Sequence, residues 1–518
     1  MVKQTKRGTP APTRAAERQV SRGGRLAAIL LGLCAVSILV GVVSFDRLPS
    51  VIGDNAEFAI LARSIATGHG MRNLNHPDLV ASTKYPPGFP LMLAMWIPVF
   101  GDSIVVMKIV VLVCYVLVAP VAFLFGRRLV SESLSLIAAL MVATSATLLP
   151  YSHEVLSDVP YALFGLVALL LVMAPRGNRT RLLIGLAVCL WAYVVRSAGV
   201  SLVLACALYL FLKARRKEAY MLIGGFAAFS VLWTLRNHLL AGEGSRYVGV
   251  LLAKNPYSPD LGNVGVADVM RRVAFNFGAY TGGLLPMAFL PTLLVPISDA
   301  ASRAVVSVVV LAVAALGGYS LRKKGLLPNL YILAYMVVYL LWPQVWRTER
   351  FMLAIAPVVA VYLVAGIDLA ARYLGFKRSA ALVVCAAVAA TNLYTLSQYA
   401  TRPRGYPPGW RNYFATAAWA KANTGPEAVF LCRSPYLFYL ASGRRTIQYP
   451  FTSDRQVMRS YLFKSHPGYM VLDDIGFPQT RTYLVPALRD MADMLETVYT
   501  TPEPVNSVLK FSPQGAAR

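Results

Sequence analysis

The chain has 518 residues, 57% of them hydrophobic and 14% charged, against roughly 25% charged residues in a soluble domain. Its formal net charge is +26. The lysines and arginines stand in short clusters between apolar runs, which excludes a nucleic-acid-binding face and fits the positive-inside pattern of a membrane protein.

In chain order, residues 1–25 carry Lys3, Lys6, Arg7, Arg14, Arg18, Arg22 and Arg25 among Pro, Gly, Ser and Thr. That composition predicts a disordered, basic, cytoplasmic tail. The apolar run 26–44 is long for a signal-peptide core and reads as an uncleaved anchor. Basic clusters at Arg127-Arg128, Arg176 to Arg181, Lys213 to Lys217, Arg322 to Lys324 and Arg372 to Arg378 belong on the cytoplasmic side. The spans that fit them are 103–126, 133–150, 159–174, 182–196, 197–212, 219–236, 303–320, 328–342, 352–371 and 380–398. With the first this makes about eleven transmembrane helices, an odd number that leaves the C-terminus outside.

Two stretches stay out of that count. The run 88–100 is short, contains Pro90 and Pro98, and would turn Arg127-Arg128 outward if it spanned. It predicts a helix lying in the interface. The region 237–302 is broken by Pro256, Pro259, Pro286, Pro291 and Pro296 and predicts an outer loop with interfacial or re-entrant pieces.

After Tyr399 the hydropathy falls. Residues 410–423 read as a helix, Ala428 to Leu431 and Tyr469 to Leu472 as buried strands, and Asp454 to Lys464 and Thr482 to Tyr499 as amphipathic helices. The expected organisation is a tail (1–25), a transmembrane domain (26–400) with outer loops 45–102 and 237–302, and a small α/β domain (401–518) outside. Five of the six cysteines lie in apolar runs and Cys432 alone in the last domain, so no disulfide forms within it and no metal-ligand spacing appears.

Polar residues gather in the segments assigned to the outer side. Asp54, Asp158 and Arg350 abut apolar runs directly, where charge is costly unless it faces a cavity in the bundle. In Asp54-Asn-Ala-Glu57, a capping box accounts for the two carboxylates, and a carboxylate beside low-dielectric lipid also serves as a general base. Thr83-Lys84-Tyr-Pro-Pro-Gly-Phe-Pro90 is rigid. It either fixes Lys84 as a point charge for phosphate or lets it snorkel to the interface. Arg196, Arg236 and Arg350 stand at outer ends of spans, against the positive-inside rule. They meet either an anionic partner or a carboxylate such as Glu154, Asp158, Glu243 or Glu349.

These residues resemble a known family. Asp54-Asn-Ala-Glu57, Ile65-Ala-Thr-Gly-His-Gly70 and Lys84-Tyr-Pro-Pro-Gly-Phe-Pro90 resemble the first outer loop of C-type (GT-C) glycosyltransferases. The nearest branch holds the protein O-mannosyltransferases and the lipid A aminoarabinose transferases. Glu154-Val-Leu-Ser-Asp158-Val-Pro-Tyr, Val195-Arg196-Ser-Ala-Gly199 and Glu349-Arg350-Phe-Met-Leu-Ala-Ile-Ala-Pro357 are similar to later family positions. The resemblance covers about residues 26–400, and the tail resembles the family's outer soluble domain loosely.

The resemblance implies transfer of a sugar from a polyprenyl-phosphate or polyprenyl-diphosphate donor to an envelope lipid, polysaccharide or protein at the outer face of a bacterial inner membrane. It makes Asp54 the general base, with Glu57 shaping its pocket. Lys84 and one or more of Arg196, Arg236 and Arg350 would hold the donor phosphate. Asp158 would orient acceptor or sugar, or help to bind a divalent cation. Thr83 stands where some relatives carry an acidic residue, so no metal ligand is assigned. A secondary transporter or lipid flippase is the alternative, but the paired halves and midplane polar groups of such proteins are not seen.

Overall fold

The structure is a computed structural model that describes residues 14–174, 177–242, 246–290, 297–401 and 405–512, less the side chains of 14–22, 246–248 and 395. Residues 1–13 of the expected tail, Arg176, Glu243, Pro291 and Pro296 lie outside the described residues, as does the Arg246 side chain.

Helix α1 runs Arg14–Ser44. It corrects the expected tail, because Arg14-Ala-Ala-Glu-Arg-Gln are good helix formers that extend a helix already nucleated in the apolar run. The first loop holds α2 (Gly53–Ala66), α3 (Gly88–Ala94) and α4 (Ile97–Phe100). Then come α5 (Ile104–Gly126), α6 (Glu132–Ala143), α7 (Asp158–Val172), α8 (Arg179–Val195), α9 (Val200–Leu212) and α10 (Arg216–Ala241). The broken region contains α11 (Arg246–Leu252), α12 (Val266–Ala279) and α13 (Leu285–Met287). The bundle ends with α14 (Ala300–Ser320), α15 (Leu326–Leu340), α16 (Ala356–Tyr373) and α17 (Arg378–Thr401).

A helix stands at each of the eleven expected spans. Among the described residues, 6 helices are long and apolar enough to cross a membrane, namely those in α1, α5, α10, α14, α16 and α17, which mark an integral membrane protein. The others are shorter: α6 has 12 residues, about 18 Å at ~1.5 Å per residue, against a hydrocarbon core of about 30 Å. Eleven crossings are therefore not established by length. The run 88–100 breaks into α3 and α4, with Met95, Trp96, Val99 and Phe100 exposed.

Two features stiffen the bundle and its link to the first loop. α14 and α16 cross backbone to backbone: a Cβ on Gly317 would stand 1.9 Å from the Tyr362 carbonyl oxygen, and one on Gly366 1.9 Å from that of Val313. Only glycine fits both sides of such a crossing. Lys108 of α5 is buried and donates to the carbonyls of Asp46 and Leu48 at 2.9 and 2.6 Å, which ties the chain between α1 and α2 to the bundle.

The last domain has α18 (Pro408–Asn423), β1 (Val429–Leu431), α19 (Pro435–Ser442), β2 (Arg445–Ile447), α20 (Arg455–Ser465), β3 (Tyr469–Leu472), α21 (Val485–Arg489), β4 (Leu495–Thr500) and β5 (Ser507–Phe511). The sheet order is β2-β1-β3-β5-β4, with the first three strands parallel and β5 antiparallel to both neighbours. Phe430 faces Trp410, Tyr413 and Phe438, while Leu431 faces Met458, Leu462 and Leu484, as alternate strand residues must. The helix expected over 482–499 forms only as far as Arg489, as a π turn over Thr480–Leu484 that runs into α21. Past α21 the chain pairs as β4, because Thr497, Val498, Tyr499 and Thr500 favour a strand and β5 supplies the partner.

This domain sits on the first loop. Ala56 of α2 belongs to the same core as Trp410, Tyr413 and Phe438. The Thr446 N–H donates to the Asn75 carbonyl at 2.7 Å, the Asn75 side-chain amide donates to the Thr446 carbonyl at 3.2 Å, and the Tyr406 hydroxyl donates to the Pro49 carbonyl at 2.9 Å.

Candidate active site

Asp54 is the second residue of α2, and Ile52 takes the N-cap position without a side-chain bond. The expected capping box is thus absent, and the Asp54 carboxylate is free to face the bundle, near backbone N–H groups that favour an anion. Pro86 and Pro87 lead straight into α3 and hold Lys84 and Tyr85 against α2. Gly88 allows this fit, since a Cβ there would lie 2.6 Å from the Val194 carbonyl carbon and oxygen near the end of α8.

Lys84 Nζ lies 2.8 Å from Glu57 Oε2 and 3.3 Å from Asp54 Oδ1. The Tyr85 hydroxyl donates to Asp54 Oδ1 at 2.6 Å, and its ring packs on Phe58 at 4.2 Å between centroids. Arg350 enters from the turn before α16. Its Nη1 and Nη2 both lie 3.4 Å from Asp54 Oδ2, and its Nε donates to Asp158 Oδ2 at 2.9 Å. Asp158 opens α7, and its Oδ1 pairs with Arg196 Nη2 at 3.0 Å. Arg196 stands in the extended break between α8 and α9 and also donates to Ser157 Oγ at 3.0 Å and the Tyr339 hydroxyl at 3.5 Å.

The result is one chain of alternating charge: Glu57, Lys84, Asp54, Arg350, Asp158, Arg196. The Glu57 and Asp158 side chains are sealed, at 2% and 3% exposure, whereas Asp54 keeps 33%. Asp54 is the carboxylate a reactant can reach. Burial would raise its pKa, but Lys84, Arg350 and the Tyr85 hydroxyl outweigh burial and hold it well below the usual carboxylate range. Burial likewise disfavours the charged Lys84, and Glu57, Tyr85 and Asp54 more than reverse this, holding its pKa well above the usual range.

Six of the seven residues singled out in the sequence therefore meet in one cluster. Arg236 does not: its guanidinium donates to the carbonyls of Ser82 and Met71 at 2.6 and 2.9 Å and lies over the Trp233 ring, so it clamps the first loop. Sequence reasoning missed Tyr85, Ser157 and Tyr339 as members. Tyr85 sits inside the quoted motif, but Tyr339 is reached only through the fold. Glu154 lies close by, with burial raising its pKa against Lys108 and Arg350. A divalent cation does not fit this donor set, because both Asp158 oxygens already hold arginines and both Asp54 oxygens hold cations or a phenol. Among the described residues no group of three His, Cys, Asp or Glu could hold a metal ion.

Known proteins share this architecture. Residues 84–235 match the family model described as dolichyl-phosphate-mannose-protein mannosyltransferase. The chain is similar in structure to apo ArnT from Cupriavidus metallidurans, with a TM-score of 0.61 at 12% identity over 93% of this chain and 98% of that one. ArnT from the same organism bound to undecaprenyl phosphate matches with a TM-score of 0.59 at 13% identity, over 94% and 99%. The Archaeoglobus fulgidus oligosaccharyltransferase in complex with zinc and sulfate matches with a TM-score of 0.59 at 13% identity, over 93% and 73%. No curated protein matches the chain in sequence. The resemblance to GT-C glycosyltransferases is borne out by the family model and by the fold.

Proposed function

We propose that the chain is a membrane glycosyltransferase that moves a sugar from a polyprenyl-phosphate or polyprenyl-diphosphate donor to an envelope lipid, polysaccharide or protein. One observation carries the reading: a partly exposed carboxylate, Asp54, stands between two cations, Lys84 and Arg350, at the edge of an apolar bundle. The cations suit the phosphate of the sugar donor, and the carboxylate suits the acceptor hydroxyl. Undecaprenyl phosphate is bound by ArnT, and a dolichol-phosphate with an inhibitory peptide by the Archaeoglobus fulgidus oligosaccharyltransferase AglB. Both support a lipid-phosphate donor for this chain.

In the step itself the acceptor O–H gives its proton to Asp54, and the acceptor oxygen bonds to the anomeric carbon. The bond from that carbon to the phosphate oxygen breaks, and its electron pair leaves on the lipid phosphate. Lys84 and Arg350 meet the charge that develops there. One base suffices for a direct displacement, which inverts the anomeric centre. The site and the α/β domain face outward from a bacterial inner membrane, with the N-terminus in the cytoplasm.

Asp54→Asn is expected to lower transfer by at least about a hundredfold, with expression and membrane insertion unchanged. Wild-type turnover in that variant would remove Asp54 as the base. Lys84→Ala is expected to weaken binding of the sugar donor, and unchanged affinity would end its phosphate role. Mass spectrometry of envelope lipids, polysaccharide and proteins from cells with and without the chain then identifies the acceptor by the missing sugar.

A further inference from the structure

Both carboxylate oxygens of Asp54 already face donors in this structure. Oδ1 accepts from Lys84 at 3.3 Å and from Tyr85 at 2.6 Å, and Oδ2 faces both terminal nitrogens of Arg350 at 3.4 Å. A general base must aim a lone pair at the proton it takes, so this state is a capped one. Two of the caps are the cations that suit a phosphate.

The far sides of those cations are anchored. Glu57 holds Lys84 at 2.8 Å, and Asp158 holds Nε of Arg350 at 2.9 Å. Asp158 is itself pinned through its other oxygen by Arg196 at 3.0 Å and is 3% exposed. Arg350 thus hangs by Nε from a fixed carboxylate. Its two terminal nitrogens make the longer, weaker contacts with Asp54, and these are the first to be given up when the planar group pivots as a unit.

We propose that Asp158 is a positioning residue, the fixed anchor from which Arg350 caps Asp54 until the phosphate of the sugar donor draws the guanidinium away, so that the acceptor cannot be deprotonated before the sugar donor binds. This rests on the glycosyl-transfer reading and adds an order of events to it.

The charge balance agrees. Three carboxylates, Glu57, Asp54 and Asp158, face three cations, Lys84, Arg350 and Arg196, and they cancel. A singly charged phosphodiester leaves the cluster one charge negative, which favours proton uptake by Asp54. On transfer, Asp54 gains the acceptor's proton while the phosphate leaves as a monoester with one more negative charge. The total stays the same throughout.

The test uses the full-length protein in nanodiscs, with undecaprenyl phosphate as the probe. A carbodiimide modifies protonated carboxyls, and mass spectrometry reads the fraction modified at Asp54. Without lipid, Asp54 should resist modification, and saturating lipid should raise it by about fivefold or more. Arg350→Gln and Asp158→Asn should each show raised modification without lipid. Lipid that binds yet leaves Asp54 modification unchanged or lower overturns the cap, even if Asp54→Asn is inactive and the base assignment stands. Failure of the wild-type protein to bind undecaprenyl phosphate would instead overturn the donor assignment, and this proposal with it.

Discussion

Lys84 and Arg236 show what a residue-level reading can and cannot separate. Both are basic groups beside apolar runs, and both were candidates for a phosphate. Lys84 meets two carboxylates and lies 4.5 Å over the Tyr85 ring, whereas Arg236 meets carbonyl oxygens. Nothing local distinguishes the two, because an arginine at the end of a helix looks the same whether its partner is an anion or a backbone. Asp158 and Arg350 were legible as buried charges, but 192 residues separate them in sequence, so their pairing needed the fold. A different residue carries a pH effect. Asp473 directly follows β3, and burial pushes its carboxyl up to about 7, against the Thr480 hydroxyl and Arg433. The folded domain therefore binds a proton that the unfolded chain releases above its ordinary pKa of 3.8. Stability contributed by protonated Asp473 should be full below about pH 4, fall as pH rises, and level off above about pH 7, a change of order 1–4 kcal/mol. Asp473→Asn should flatten that slope in hydrogen exchange of the β1 and β3 amides. A slope as steep as that of the wild type would remove Asp473 as its source.

At the scale of elements, periodicity was a good guide where a single principle ruled. Helices α18 and α20 form close to the expected residues because each has one apolar face and a clear stop, and strand β3 because it is a short run apolar on both faces. For β4, Leu495–Thr500 carries both a helical spacing and β-branched residues, and the partner that decides between them, β5, lies further along the chain. The span count was less legible still. Short apolar helices such as α6 and α9 can be stabilised by the bundle alone, so hydropathy does not fix how far each one reaches through the bilayer. The α14–α16 crossing gives a sharp test. Gly317→Val places a branched side chain against the Tyr362 carbonyl and the Gly366 N–H, and backbone on both sides cannot yield. A loss of roughly 2–4 kcal/mol is expected, beyond the usual cost of overpacking. It should appear as a lower midpoint in thermal unfolding of the detergent-solubilised protein, and an unchanged midpoint would mean the helices do not touch there.

For the whole molecule the charge clusters and the site define two ends. Arg25 and Arg127 both pair with Glu132, at 2.9 and 3.4 Å, near the start of α1, while Asp54 lies just beyond its other end. If the basic end is cytoplasmic, a cysteine at Asp493 in the α/β domain should react with a membrane-impermeant maleimide on intact cells, and one at Lys323 only after permeabilisation. The reverse pattern would turn the site inward.

Ala56 gives the architecture a thermal consequence. One face of α2 carries Asp54 and Glu57, and another contributes Ala56 to the core of the α/β domain beside Trp410 and Tyr413. The two parts thus share a supporting beam. If the α/β domain melts first, α2 loses that backing while the bundle is still folded. Heat inactivation of the proposed transfer activity should then track melting of the α/β domain, and substitutions that stabilise that domain, not the helices of the bundle, should extend activity to higher temperature.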